Sequence, residues 1–152
     1  MKITKYLKPI QISIEIPAKD KTEAIGSLVK ILVEQGLVPT DKVEDVIDAL
    51  IERESLTSTG LGYGVALPHV KTDVVKQTCI AFGRSNKGID FDALDGNPVN
   101  FFFLILAPVK TTDEYLKILS AISALMKNEK VRSKLMSAQS ADEIYKVLNQ
   151  TV

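Results

Sequence analysis

The chain has 152 residues, 45% of them hydrophobic and 25% charged, with lysine plus arginine matching aspartate plus glutamate at 19 each. That balance argues against disorder and gives no electrostatic ground for nucleic-acid binding, and the length fits one domain, residues 1–152, able to bury roughly 68–70% of its unfolded surface. The lone cysteine, Cys79, excludes an internal disulfide and a cysteine-based metal cluster, and no run of about 18 apolar residues occurs, so a cytoplasmic protein with no membrane insertion is expected.

In chain order, Ile12-Ser-Ile-Glu-Ile16 alternates apolar and polar residues and stops at Pro17, which predicts an edge strand. Asp20 followed by Glu23 predicts a helix start, and Ala24, Leu28, Ile31 and Leu32 form its apolar stripe up to Gly36. A second helix is expected from Asp41 to Glu54, with Val43, Val46, Ile47, Leu50 and Ile51 on one face. Arg53 then falls in its last turn, where a cation meets the negative end of the helix.

Thr78–Phe82 and Val99–Ala107 are predicted strands, the second so continuously apolar that it belongs at the centre, covered on both faces, with Cys79 as strand filler. Leu94–Pro98 has the composition of a turn, and Asp92 and Asp95 beside it are expected to cap or stabilise that turn. A long helix from Thr112 would carry Leu116, Leu119, Ile122 and Leu125 inward, with Asp113 and Glu114 in its first turn and the Tyr115 ring partly packed. Short helices near Val131–Met136 and Ala141–Leu148 complete a layered α/β pattern.

The only histidine, His69, ends the run Ser55-Leu-Thr-Ser-Thr-Gly-Leu-Gly-Tyr-Gly-Val-Ala-Leu-Pro-His69. Pro68 fixes its own φ and biases Leu67 toward an extended conformation, so the imidazole is presented from a stiff segment. Arg53, the hydroxyls of Ser55, Thr57, Ser58 and Thr59, and the glycines Gly60, Gly62 and Gly64 precede it, a combination suited to holding a phosphate. The spacing fits neither a Walker A loop nor GxGxxG, no acidic cluster flanks His69 to bind a metal, and no Gly-x-Ser-x-Gly elbow supplies a serine nucleophile. No cofactor is called for.

Arg53-Glu54 followed by Ser58-Thr-Gly-Leu-Gly-Tyr-Gly-Val-Ala-Leu-Pro-His69 resembles the active-site signature of the fructose, mannitol and nitrogen-regulatory enzyme IIA family of the phosphoenolpyruvate-dependent phosphotransferase system. Similarity continues through Lys87–Phe91, Asp95–Val99, the apolar strand ending at Pro108, and Tyr115–Leu119, nearly the whole chain. The resemblance implies a three-layer α/β/α sandwich with a mixed β-sheet. It also implies that His69 accepts a phosphoryl group from phospho-HPr or its nitrogen-branch counterpart, with Arg53 steadying the dianion and Ser58, Thr59, Gly60, Gly62 and Gly64 orienting it. Family members often carry a second histidine near the first; this chain places Tyr115 there, which can donate a hydrogen bond to phosphate but cannot become cationic.

Two functions of different class follow from the resemblance. One is a phosphotransferase component that passes phosphate from His69 to a separate IIB component for sugar uptake. The other is a regulatory binding module whose phosphorylation state changes its affinity for a protein target.

Overall fold

The structure, a computed structural model, describes residues 2–150. Six strands form one mixed sheet: β1 (Ile12–Ser13), β2 (Gly60–Gly62), β3 (Val65–Ala66), β4 (His69–Lys71), β5 (Cys79–Ile89) and β6 (Val99–Ala107). The order is β1-β5-β6-β3-β2, with β4 also paired to β6; β5 and β6 are antiparallel, as are β2 and β3, and the remaining pairs are parallel. The helices are α1 (Lys21–Glu34), α2 (Val43–Leu56), α3 (Asp113–Met126), α4 (Glu129–Ser137) and α5 (Ala141–Gln150).

The period-two geometry of β6 divides the interior. Phe101, Phe103, Ile105 and Ala107 enter a core with α3, α4 and α5, where Phe82 and Phe103 meet edge to face at 4.9 Å. Phe102, Leu104 and Leu106 enter a second core with α1 and α2. A strand apolar at nearly every position therefore serves two layers at once, and the three-layer α/β/α sandwich follows.

Asp20 caps α1 by accepting the Glu23 N–H at 2.9 Å, while the Glu23 carboxylate accepts the Lys19 N–H. The helix boundaries agree with the sequence within a few residues; Thr40–Lys42 form a single 3-10 turn before α2. Asp95 stabilises the turn as expected, accepting the Asn97 N–H at 3.0 Å. Asp92 stands at φ 51° and pairs with Lys21 at 3.3 Å.

The run before and at His69 holds three short strands that the sequence did not predict, β2, β3 and β4, and three of the predicted elements differ in extent or facing. The edge strand is ladder-paired only over Ile12–Ser13, because the Ile14 carbonyl is taken by the Arg84 guanidinium; the Ile16 N–H rejoins β5 at the Arg84 carbonyl. β5 runs on to Ile89, far past Phe82, through a stretch with no apolar pattern. Within it Gly83 has no room for a side chain, since a Cβ would stand 2.6 Å from Ile16 Cγ2. Finally, α3 is rotated: Tyr115, Ile118, Ile122 and Met126 are buried, Leu119 and Leu125 only partly, and Leu116 is 61% exposed. Both stripes satisfy helical spacing and share Ile122, so only packing against the sheet decides between them.

Candidate functional site

β3 and β4 lie along the same edge of β6, joined through Leu67 and Pro68, whose carbonyl accepts the Ile105 N–H at 3.0 Å. His69 begins β4 opposite Ile105, a residue of the α3–α5 core, so the imidazole projects toward α3. Its Nδ1 lies 2.6 Å from the Leu67 carbonyl oxygen. A carbonyl only accepts, so Nδ1 carries the proton and Nε2 presents a lone pair. Burial holds the proton affinity of the ring below the ordinary imidazole value; the Leu67 hydrogen bond and Glu54 act against this, and the Arg53 cation acts with it.

Tyr115, in the first turn of α3, faces the imidazole with ring centroids 5.6 Å apart. Burial pushes its phenol up to about 12 while Arg53 pulls the other way, so it is a neutral hydroxyl across the working pH range. Arg53, in the last turn of α2, thus lies within electrostatic reach of both rings, and its Nη1 donates to the Thr57 carbonyl at 3.0 Å. Lys71 completes the group. It is two residues beyond His69 on the same face of β4, and its ammonium stands 5.2 Å from the centre of the Tyr115 ring.

The hydroxyl and glycine run folds largely on itself. Ser55 Oγ donates to the Glu52 carbonyl, and Ser58 Oγ donates to the Phe91 carbonyl and accepts the Gly60 N–H. The buried Thr59 gives both its N–H and its hydroxyl to the Glu54 carboxylate, while Thr57 is exposed. Gly62 and Gly64, with φ of 96° and 73°, flank Tyr63 at 59° and turn the chain between β2 and β3. The Gly64 carbonyl accepts from Phe101, four residues along β6 from the partner of His69, or about 13 Å up the sheet. Ser58 and Thr59 are therefore nearer to His69, Thr59 accepting the Leu67 N–H at 3.1 Å, while the two turn glycines are carried away from it.

Sequence reading missed Lys71 and the anchoring role of Glu54. Strand periodicity after His69 could have identified Lys71; Lys21, which pairs with Glu54 at 3.4 Å from the start of α1, left no local signal. Among the described residues, no three histidine, cysteine or carboxylate side chains gather where they could hold a metal, and no helix is long and apolar enough to cross a membrane.

The family described as "Phosphoenolpyruvate-dependent sugar phosphotransferase system, EIIA 2" matches residues 5–151. A relative from Haloferax volcanii, "PTS system fructose-specific EIIA component", is 43% identical over 141 residues, covering 93% of this chain and 90% of the relative. Among solved structures, the nitrogen regulatory protein IIA-Ntr from Neisseria meningitidis is 34% identical with a TM-score of 0.88, covering 96% of this chain and 98% of its own. The IIA chain in a complex of mannitol enzyme IIA with phosphorylated enzyme IIB from Escherichia coli is 26% identical with a TM-score of 0.76, covering 93% and 97%.

Proposed function

We propose that this chain, which belongs to the EIIA 2 family of the phosphoenolpyruvate-dependent sugar phosphotransferase system, relays a phosphoryl group through Nε2 of His69. The observation that carries the assignment is the Nδ1 contact with the Leu67 carbonyl, which leaves Nε2 as the acceptor on a ring that faces Tyr115 and feels the Arg53 charge. The donor is phospho-HPr or its nitrogen-branch counterpart. A bond forms from Nε2 to phosphorus as the donor's N–P bond breaks, the electron pair returning to the donor ring, while the proton on Nδ1 stays at Leu67. Arg53 offers the phosphoryl oxygens charge-assisted hydrogen bonds, and the neutral Tyr115 hydroxyl offers one more.

From His69 the group passes to a IIB component. The fructose-specific relative and the solved IIA–IIB complex support that destination. The likeness to a nitrogen regulatory protein supports a second reading, in which the phosphorylated chain binds a regulatory target without sugar transport.

Intact-mass measurement after mixing the chain with phosphoenolpyruvate, enzyme I and HPr tests the relay, with His69→Ala in parallel. A phosphoryl mass gain that disappears in the variant is expected. No gain from either carrier, with the chain folded, would overturn it. Adding candidate IIB proteins to the phosphorylated chain then separates the two destinations: loss of the added mass to a IIB protein identifies transport.

A further inference from the structure

We propose that Glu54 is the positioning residue of the acceptor site: held by Lys21, it fixes Thr59, Thr59 fixes Leu67, and the Leu67 carbonyl sets which ring nitrogen of His69 carries the proton. The proposal rests on the relay assigned above, but its decisive test does not require phosphoryl transfer.

Glu54 is an expensive residue where it stands. Its position continues the buried face of α2 through Val46 and Leu50, so a leucine there would extend the apolar stripe. Instead a carboxylate, 6% exposed, sits in the last turn, where the helix dipole opposes negative charge and burial removes its hydration. Packing does not account for it.

Its contacts do. The carboxylate accepts the Thr59 N–H at 3.1 and 3.2 Å, accepts the Thr59 hydroxyl, and meets Lys21 Nζ at 3.4 Å. Lys21 is itself steadied by Asp92 at 3.3 Å and by the Phe91 ring at 5.0 Å. Beyond Thr59 the chain of contacts continues without a gap: the Thr59 carbonyl accepts the Leu67 N–H at 3.1 Å, and the Leu67 carbonyl accepts from His69 Nδ1 at 2.6 Å. Successive links belong to different peptide units, so the coupling along them is mechanical and adds to the direct effect of the Glu54 charge on the ring. Because the Leu67 carbonyl precedes Pro68, no N–H of its own peptide unit competes for position, and a shift of Thr59 is passed directly to the group that holds the imidazole.

Because the chain has one histidine, its ring nitrogens can be observed by 15N NMR without ambiguity. At pH 8 the unaltered protein is expected to show a single tautomer protonated at Nδ1. Glu54→Leu removes every acceptor for Thr59 and is expected to give a mixture of the two tautomers, with phosphoryl acceptance slowed on the order of 10–100-fold by misplacement of Nε2. Glu54→Gln keeps one acceptor oxygen and should fall between; should the leucine variant fail to fold, the glutamine variant supplies the same measurement. Ring 15N shifts unchanged from the unaltered protein in the folded variants would overturn the proposal. An unaltered chain that accepts no phosphoryl group would instead refute the relay, and the ring-nitrogen measurement would still decide the role of Glu54.

Discussion

The imidazole of His69 must be neutral to accept a phosphoryl group, and its surroundings favour that state. Burial is the largest cause, and its folded proton affinity lies below the ordinary value of 6.5. The sign follows: acceptance should be fastest at pH 8 and fall with pH as the ring protonates, with its midpoint below 6.5. Stability has the same sense, since the unfolded ring takes a proton first; the contribution of the buried neutral ring is present above 6.5 and is lost as pH falls through the folded value. Initial phosphorylation rates against pH, with an NMR titration of the ring, check both, and a midpoint at or above 6.5 would contradict them. Arg53 should separate chemistry from folding. Its hydrogen bond to the Thr57 carbonyl at a helix end is solvent-exposed and contributes about 1 kcal/mol to the fold. Removing its charge from the phosphoryl oxygens should slow transfer on the order of a hundredfold. Arg53→Ala is thus expected to keep its denaturation midpoint nearly unchanged and lose rate.

Among the elements, β1, β5 and α4 are tied together by one buried side chain. Arg84 Nε donates to the Ile14 carbonyl at 2.9 Å, and Nη1 donates to the carbonyls of Leu135 and Ala138 at 2.7 and 2.6 Å, at the C-terminal end of α4. The guanidinium thereby meets the negative end of that helix and satisfies carbonyls that have no helical partner. Arg84→Met keeps the apolar stem and abandons those carbonyls, at a cost of at least about 2 kcal/mol. The urea midpoint should fall with an unchanged slope, and a change under 0.5 kcal/mol, roughly the size of an ordinary surface substitution, would show that the carbonyls have other partners. Arg84 also shows where sequence reading stops. β6, α1 and α2 were legible because their apolar residues follow one period; β5 beyond Phe82 was not, because Gly83 and Arg84 are explained only by Ile16, Leu28 and α4, all distant in sequence. The site divides likewise. His69, Arg53 and Tyr115 stood out by residue type and motif, and α3 indeed brings Tyr115 to His69. The Glu54 network could not be read, because its links join residues through backbone groups that every residue has.

At the scale of the molecule, both cores hang from β6, whose alternate residues belong to opposite layers. Losing that strand removes the floor of each layer at once, so neither should persist without the other, and unfolding should be a single transition. The protein carries a probe in each layer. Cys79, paired with Leu106 and buried in the α1–α2 core, has its thiol pushed up to about 12 by burial. At pH 8 only about one thiol in ten thousand is then ionised, so a thiol reagent reaches it when the strand opens. Tyr6, Tyr115 and Tyr145 all pack in or against the α3–α5 core, and the chain has no tryptophan, so tyrosine fluorescence reports chiefly on that layer. In a urea series the Cys79 labelling midpoint, read after a fixed short pulse, should coincide with the tyrosine midpoint. Labelling complete at urea concentrations where tyrosine emission is still native would mean that the α1–α2 layer, which carries Arg53 and Glu54, opens apart from the layer that carries Tyr115. The two halves of the His69 site would then be joined by the sheet less firmly than the shared strand requires.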